Sequence, residues 1–198
     1  MKKLLLFAAA GLCCAASANA QDINLPEPQT TGGMPLMEAI AARRTVRAYS
    51  ERPLAPQTVA DLLWSAWGIS SADGKRTVPT ARNQQDIDVY AVMADGTYLY
   101  DAKNNLLKQV TTEDLRPLLA KQDFVSSAPL HLLFVSANKK YGGMHAGSMY
   151  QNVGLACTSM GLANVVRGMI DNEQLKQKLN LPEEAEVIIS QTIGYPAE

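Results

Sequence analysis

Three short stretches of this chain carry side chains able to bind or steer a ligand. The first is Arg43-Arg44-Thr45-Val46-Arg47. If the backbone stays helical there, Arg43 and Arg47 stand four residues apart and present two guanidiniums on one face, with the Thr45 hydroxyl as a further donor. Guanidinium forks match phosphate oxygens with paired hydrogen bonds, so the stretch reads as a phosphate clamp. It reads equally as a solvated basic helix end favoured by the helix dipole. The second stretch is Pro79-Thr80-Ala81-Arg82-Asn83-Gln84-Gln85, in a loop before a strand. Its amides offer both donors and acceptors, as the edge of a heteroaromatic ring requires, although ordinary loops are also rich in Asn and Gln. The third runs from Gly161 through Val166, Arg167 and Gly168 to Asp171. A short strand ending in Arg-Gly could turn backbone N–H groups toward a flat ligand, with Gly168 permitting close approach; a routine helix–strand–helix crossover has the same pattern.

Other chemistries lack their residues. His131 and His145 have no helical His pair or Cys partner, so no zinc-type site is expected. There is no Gly-x-Ser-x-Gly elbow, Walker loop or Gly-x-Gly-x-x-Gly turn. Lys139-Lys140 reads as a solvated surface pair. Aromatic residues are sparse and not interleaved with basic ones, which argues against single-stranded nucleic acid.

The elements that must position these stretches follow from periodicity. A helix begins near Pro35, runs through Met37, Ile40 and Ala41, and fades at Arg43-Arg44. Pro56 reads as the first residue of a second helix, with Val59, Leu62, Leu63 and Ala66 as its apolar stripe and Gly68 as its end. Residues 74–86 form a loop and 87–94 a strand. Asp95-Gly96 predicts a hairpin turn into a strand at 97–100, and 106–110 adds a third. Thr112 starts a helix to about Lys121. Leu130 to Ser136 is a continuous apolar run, expected at the centre of a sheet buried on both faces. The longest helix spans roughly Gly147 to Met160, with Gly161 just past its end. Asp171 and Gln174 form a capping pair before a helix to Leu179, and 186–192 is the last strand. The fold class is α+β, helices around a mostly antiparallel sheet.

The chain has 198 residues, 47% of them hydrophobic, with 18 Lys+Arg against 19 Asp+Glu. That supports one globular domain and excludes a disordered chain, and the balanced charge excludes a basic nucleic-acid-binding surface. Residues 1–20 read as a secretory signal peptide: Lys2-Lys3, an apolar run from Leu4 to Ala16, and a small-residue exit at Ala18 to Ala20. The run falls short of the roughly 20 residues of a membrane-spanning helix, and a buried N-terminal helix is the other reading. Cleavage after Ala20 implies export, to the periplasm in a bacterial cell. Leu12 before Cys13 is a poor match to a lipoprotein site. Cys157 would then be the single remaining cysteine, without a disulfide partner and read as a buried thiol. Residues 21–33, with Pro26, Pro28 and Gly32-Gly33, read as an extended arm or linker, and 34–198 as the domain.

Taken in order, the three stretches resemble the nitroreductase family of flavin-dependent oxidoreductases. The family's first helix ends in Arg-Arg/His-Ser/Thr-x-x-Arg/Lys, matched by Arg43 to Arg47. Its Pro-Ser-x-x-Asn-x-Gln loop is matched by Pro79, Thr80, Asn83 and Gln85. Tyr150, Asn152 and Gly154 match the Tyr-x-Asn-x-Gly of its core helix, Gly161-Leu162 the Gly-Leu that ends it, and Gly194-Tyr195-Pro196 its close.

The resemblance implies an FMN-binding homodimer with the flavin at the subunit interface. Arg43, Thr45 and Arg47 would hold the ribityl phosphate, with Arg44 beside the ring. Pro79, Thr80, Asn83 and Gln85 would come from the other subunit. The backbone at Val166, Arg167 and Gly168 would face flavin N5 and O4. It further implies ping-pong transfer from NAD(P)H through FMN to a small aromatic acceptor, nitroaromatic or quinone-like. A flavin oxidase or dehydrogenase fed by another donor and a non-catalytic flavin-binding protein are the rivals. Two departures stand out. Family members usually carry a basic residue beyond the Gly-x-Pro close, where Ala197-Glu198 stand in this chain, so the clamp rests on Arg43 and Arg47 or borrows another lysine. Arg167 occupies a position where many relatives have an acid.

Overall fold

The computed structural model describes residues 21–197. The expected signal peptide, residues 1–20, lies outside them. Seven strands form one antiparallel sheet: β1 (Ile23–Asn24), β2 (Asp88–Met93), β3 (Gly96–Asp101), β4 (Leu106–Thr111), β5 (Leu130–Ser136), β6 (Ala163–Arg167) and β7 (Glu186–Gly194), in spatial order β1-β4-β3-β2-β5-β7-β6. Five helices accompany them: α1 (Leu36–Ala42), α2 (Pro56–Trp67), α3 (Arg116–Leu119), α4 (Gly142–Ser159) and α5 (Asn172–Lys178). The α+β expectation holds. No helix among the described residues is long and apolar enough to cross a membrane.

Strand β5 lies inside the sheet, between β2 and β7, and every residue of it is buried. Its two side-chain rows serve different layers, because successive residues of a strand point to opposite faces. Leu130, Leu132 and Phe134 pack with Leu62 and Leu63 of α2 and Met149 and Val153 of α4. Leu133 and Val135 pack on the other face with Leu119 of α3 and Leu175 of α5. Pro56 does start α2, where its missing N–H costs nothing, and Gly68 follows its end. Asp171 caps α5 as expected, accepting the Gln174 N–H at 3.1 Å.

Four boundaries differ from expectation, each for a physical reason. The helix expected from Thr112 to Lys121 is a single turn, Arg116–Leu119. Pro117 has no N–H to donate and its ring would collide with the carbonyl four residues back, so a helix cannot run through it from Thr112. The hairpin turn falls on Ala94-Asp95, and Gly96 is already the first residue of β3. Gly96 has φ +147°, and a Cβ there would lie 2.5 Å from the Thr111 carbonyl. Helix α4 starts five residues before the expected Gly147, because Gly142 lets the backbone settle against Ser136, 3.2 Å from where a Cβ would be. The arm at 21–33 is not merely extended. Ile23 and Asn24 pair with Leu107 and Leu106 and cover the outer edge of β4, and Asp61 of α2 receives the Gln29 N–H at 2.7 Å.

A row with three polar members crosses the face of the sheet that Leu133 and Val135 share. Thr97, Val92, His131, Thr192 and Val165 are cross-strand neighbours in sequence across β3, β2, β5, β7 and β6. His131 is fully buried, its Nδ1 3.1 Å from Thr192 Oγ1, and its Nε2 has no protein partner. Burial, reinforced by the positive charges of Arg167 and Arg116, pushes its pKa down to about 3. An unfolded His131 takes a proton below about pH 6.5, whereas the folded one stays neutral. Stability is therefore lost as pH falls from about 6.5 toward 3, by up to about 1.4 kcal/mol per pH unit from this group. Urea unfolding at pH 7 and pH 5 checks it: His131→Gln is expected to lose about 2 kcal/mol less than the unaltered protein across that interval.

Candidate functional site

Helix α1 stops at Ala42, and Arg43 already has extended angles, φ −51° and ψ 124°. From Arg43 onward the chain runs straight alongside the open edge of β6, held by Val46 N–H donating to the Asn164 carbonyl at 3.0 Å. The period that brings Arg43 and Arg47 together is thus 2, not 3.6, and Thr45 joins them on the same side. These three residues share a cleft of about 280 Å³ with Tyr150, Gly154 and Val166. The alternate residues turn away. Arg44 folds back on the end of α1, its Nη1 donating to the carbonyls of Ala41 (2.7 Å) and Arg43 (2.8 Å). Val46 packs with Tyr49, Ala128 and Val165. Arg44 therefore spends its guanidinium on the helix end and not on the cleft.

Glycine at 154 shapes the cleft wall. The Arg43 stem lies against α4 there, 3.6 Å from where a Cβ would stand, so a Cβ would touch it and any longer side chain pointing that way would displace it. Among the described residues neither the Arg43 nor the Arg47 guanidinium has an ion-pair or hydrogen-bond partner. No carboxylate lines the cleft. Two free cations, the hydroxyl-bearing Thr45 and Tyr150, and no acid make an anion site. A larger hollow of about 550 Å³ lies elsewhere, between the start of α2 and the β2–β3 turn; Glu51 and Asp95 in its wall oppose the charge of Arg116.

The β6 edge supplies backbone donors. Only one side of β6 is paired, to β7. Since Asn164 points its carbonyl to the free side, strand alternation turns Val166 N–H the same way. The Arg167 carbonyl faces inward, accepting from Ser190 Oγ at 2.8 Å, so the peptide it shares with Gly168 directs the Gly168 N–H outward. The Arg167 N–H lies on the β7 side by the same alternation. Its side chain leaves the cleft altogether: only 5% exposed, it donates to the Leu119 carbonyl (2.7 Å), Thr192 Oγ1 (3.2 Å), the Met169 carbonyl (3.3 Å) and Gln122 Oε1 (3.4 Å).

The Pro79–Gln85 loop is a tight structure of its own. Arg82, Asn83 and Gln85 all have left-handed φ, at 55°, 53° and 49°. Thr80 Oγ1 accepts the Gln85 N–H at 3.1 Å. Gln85 gives Nε2 to the Gly74 carbonyl and to Asn83 Oδ1, and its Oε1 accepts from Arg76, whose guanidinium lies over Trp67 at 4.7 Å. Thr80 and Gln85 thus brace the loop, while Asn83 stays exposed at its tip. The loop meets α4 at His145, nine residues and about 13 Å along the helix from Gly154. It lines none of the arginine cleft.

Residues 40–195 match the sequence model of the nitroreductase family. The chain belongs to this family. A crystal structure from Ralstonia eutropha JMP134 assigned as a nitroreductase is 37% identical with a TM-score of 0.85, covering 100% of this chain and 97% of that one. A Methanocaldococcus jannaschii protein assigned as a nitroreductase is 27% identical over 184 residues, 82% of this chain and 91% of its own. A crystal structure described as an oxidoreductase containing FMN shares the fold at 17% identity, with a TM-score of 0.63 over 85% of this chain and 80% of that one. The nitroreductase family is one of oxidoreductases that typically bind flavin, and this chain is an oxidoreductase of the nitroreductase fold.

Sequence reasoning placed Arg43, Thr45, Arg47 and Val166 without seeing the extended geometry that gathers them. It left out Asn164, a lone polar residue in an apolar run, and the set Asp86, Asn138 and His145 behind the loop. The inward course of the Arg167 side chain generates a test. Arg167→Met is expected to destabilise the fold by about 3 kcal/mol, because it strands buried acceptors that now receive charged donors. The urea midpoint of the cofactor-free protein measures it.

Proposed function

We propose that this chain is an exported, homodimeric, FMN-dependent oxidoreductase that takes electrons from NAD(P)H and passes them to nitroaromatic or quinone-type acceptors. The observation that carries the reading is the acid-free cleft of Arg43, Thr45 and Arg47 set against the free edge of β6. Its donor set suits a phosphate monoester: two guanidiniums for the oxygens and a hydroxyl beside them. FMN, when bound, supplies the two-electron chemistry that none of the cleft's own side chains can. In this reading Arg43, Thr45 and Arg47 hold the phosphate, and Val166 and Gly168 offer N–H donors to the ring edge. No carboxylate, imidazole or thiol among the cleft residues is available as a general base, so these residues bind and orient.

Two features support the homodimer. The loop that carries Asn83 lies away from the cleft of its own chain, so it is free to serve another. Helix α1, which leads into the clamp, exposes Leu36 (63%), Met37 (73%) and Ile40 (47%), an apolar face of the kind a subunit interface covers. Export rests on residues 1–20. It also favours a second reading with the same cofactor and a different electron donor, since the periplasm is poor in reduced nicotinamide.

Arg47→Ala is expected to weaken FMN binding about 10- to 150-fold, the loss of one charge-assisted contact of about 1.5–3 kcal/mol, whereas Arg44→Ala leaves affinity within about twofold. Fluorescence titration of the cofactor-free protein reads both, and an unchanged affinity in Arg47→Ala removes that residue from the clamp. Anaerobic mixing of the loaded protein with NADH or NADPH tests the donor. Rapid bleaching of the flavin band is expected; a band that persists with both favours the second reading.

A further inference from the structure

Behind the Pro79–Gln85 loop lies a chain of hydrogen bonds whose directions can be deduced one from the next. Asn138 braces the turn that leads into α4: its Oδ1 accepts from Lys140 N–H (3.1 Å) and Tyr141 N–H (3.0 Å). With the oxygen so placed, the amide nitrogen must face the other way. It donates to Gln84 Oε1 at 3.2 Å and to Asp86 Oδ2. The other oxygen of Asp86, Oδ1, lies 2.7 Å from His145 Nδ1. At the far side of the ring, His145 Nε2 lies 2.8 Å from the backbone nitrogen of Ala81. A backbone N–H can only donate, so Nε2 is the acceptor and the ring proton sits on Nδ1, pointing at Asp86. Burial works against the Asp86 charge, but the bonds from Asn138 and His145 outweigh it and hold the carboxyl below its usual range.

We infer that Asn138, Asp86 and His145 form a tautomer-setting relay that fixes the loop at Ala81 and Gln84 and so holds Asn83 in position for the cofactor of a partner subunit. The last clause rests on the function proposed above; the relay itself does not. His145 is a positioning residue, acting through the Ala81 peptide. The loop needs such a hold, because three of its residues sit in left-handed conformations that Arg and Gln rarely adopt unaided.

The relay makes an unusual demand on residue 86. In Asp86→Asn the Asn138 amide still requires an acceptor, so the new side chain turns its oxygen there and its nitrogen toward His145. His145 must then accept at Nδ1 and carry its proton on Nε2, where it opposes the Ala81 N–H. A near-isosteric change far from the cleft would thus release the loop. His145→Gln, with an amide oxygen able to reach Ala81, keeps the hold without any tautomer to reverse.

The chain has only two histidines, so nitrogen-15 NMR at pH 8 resolves the His145 ring, and amide exchange follows Ala81. Expected are an Nδ1–H tautomer in the unaltered protein, Nε2–H in Asp86→Asn, Ala81 exchange at least tenfold faster, and FMN affinity at least fivefold weaker. His145→Gln stays within about twofold of the unaltered protein, and adding Asp86→Asn to it costs nothing further. An unaltered tautomer in Asp86→Asn, unchanged Ala81 exchange, or additive effects in the double variant would overturn the relay. A reversed tautomer with unchanged FMN affinity would overturn its role at the cofactor. If the unaltered protein binds no FMN, the proposed function fails while the NMR and exchange arms still decide the relay.

Discussion

The site depends on a single rung of β pairing, the Val46 N–H to the Asn164 carbonyl at the open edge of β6. It forces the five residues after α1 into an extended run, and extension does the sorting. Alternation sends Arg43, Thr45 and Arg47 into the cleft and Arg44 and Val46 out of it. Had α1 continued, at about 100° per residue, Thr45 would lie on the far side from both arginines. The run is braced beyond Val46 as well: Tyr49 Oη donates to the Val46 carbonyl at 2.8 Å, and Ser50 and Ala197 exchange backbone bonds with Tyr195 and Ala48. The last residues of the described chain therefore hold the clamp in place although none of them carries a basic group. Leaving two cations beside each other without an acid is locally unfavourable, and the surrounding structure holds them there. That is the signature of a binding site rather than of a fold-stabilising contact.

Rigidity on the other side of β6 comes from Arg167. Its guanidinium passes under the sheet to the end of α3, and with Thr192 it joins the polar row that includes His131. One edge of the strand is then free for a ligand, while its end is fastened to α3 and to β7. A backbone N–H presented from such a strand keeps its direction, and directional precision is what distinguishes a useful donor from a merely available one. An acid at position 167 could not make these contacts, since the Leu119 and Met169 carbonyls only accept.

Legibility in the sequence followed the strength of local signals. The stripe of α2, the apolar run of β5 and the Asp171 cap of α5 have short-range causes and were readable residue by residue. Helix α4 was readable in its apolar half but not at its start, where Gly142 and Gly143 are poor helix formers and only Gly142 lies against β5. Pro117 carried a readable warning against a long α3. The arginine segment is more instructive. Arg43 and Arg47 do share a cleft, but with a period of 2 and not 3.6, because four residues apart is a shared face both in a helix and, as two steps of two, in a strand. Only Thr45 discriminates between them. The Asn138, Asp86 and His145 set could not be read at all, since its members come from three different segments and none is unusual alone.

Helix α4 connects these parts, and its composition reflects the demands on it. It carries Gly142, Gly143, Gly147 and Gly154, each costing about 1 kcal/mol of helix propensity relative to alanine. Gly142 is explained by β5, while at Gly154 Arg43 and Asn164 lie at ordinary contact distance, 3.6 Å, from the missing Cβ. Asn152 uses the same helix to cap the end of α2, donating to the Ser65 carbonyl at 3.2 Å, and His145 uses it to hold the loop. Gly143 has nothing within 4 Å of its missing Cβ, and Gly147 only the ring end of Tyr150. Exposed Met144 lies between them. Within one protomer these two glycines cost stability and gain no close packing. In the proposed dimer they would allow another backbone to approach the half of α4 that carries the Asn83 loop, which is the half where a second subunit's cofactor must meet it.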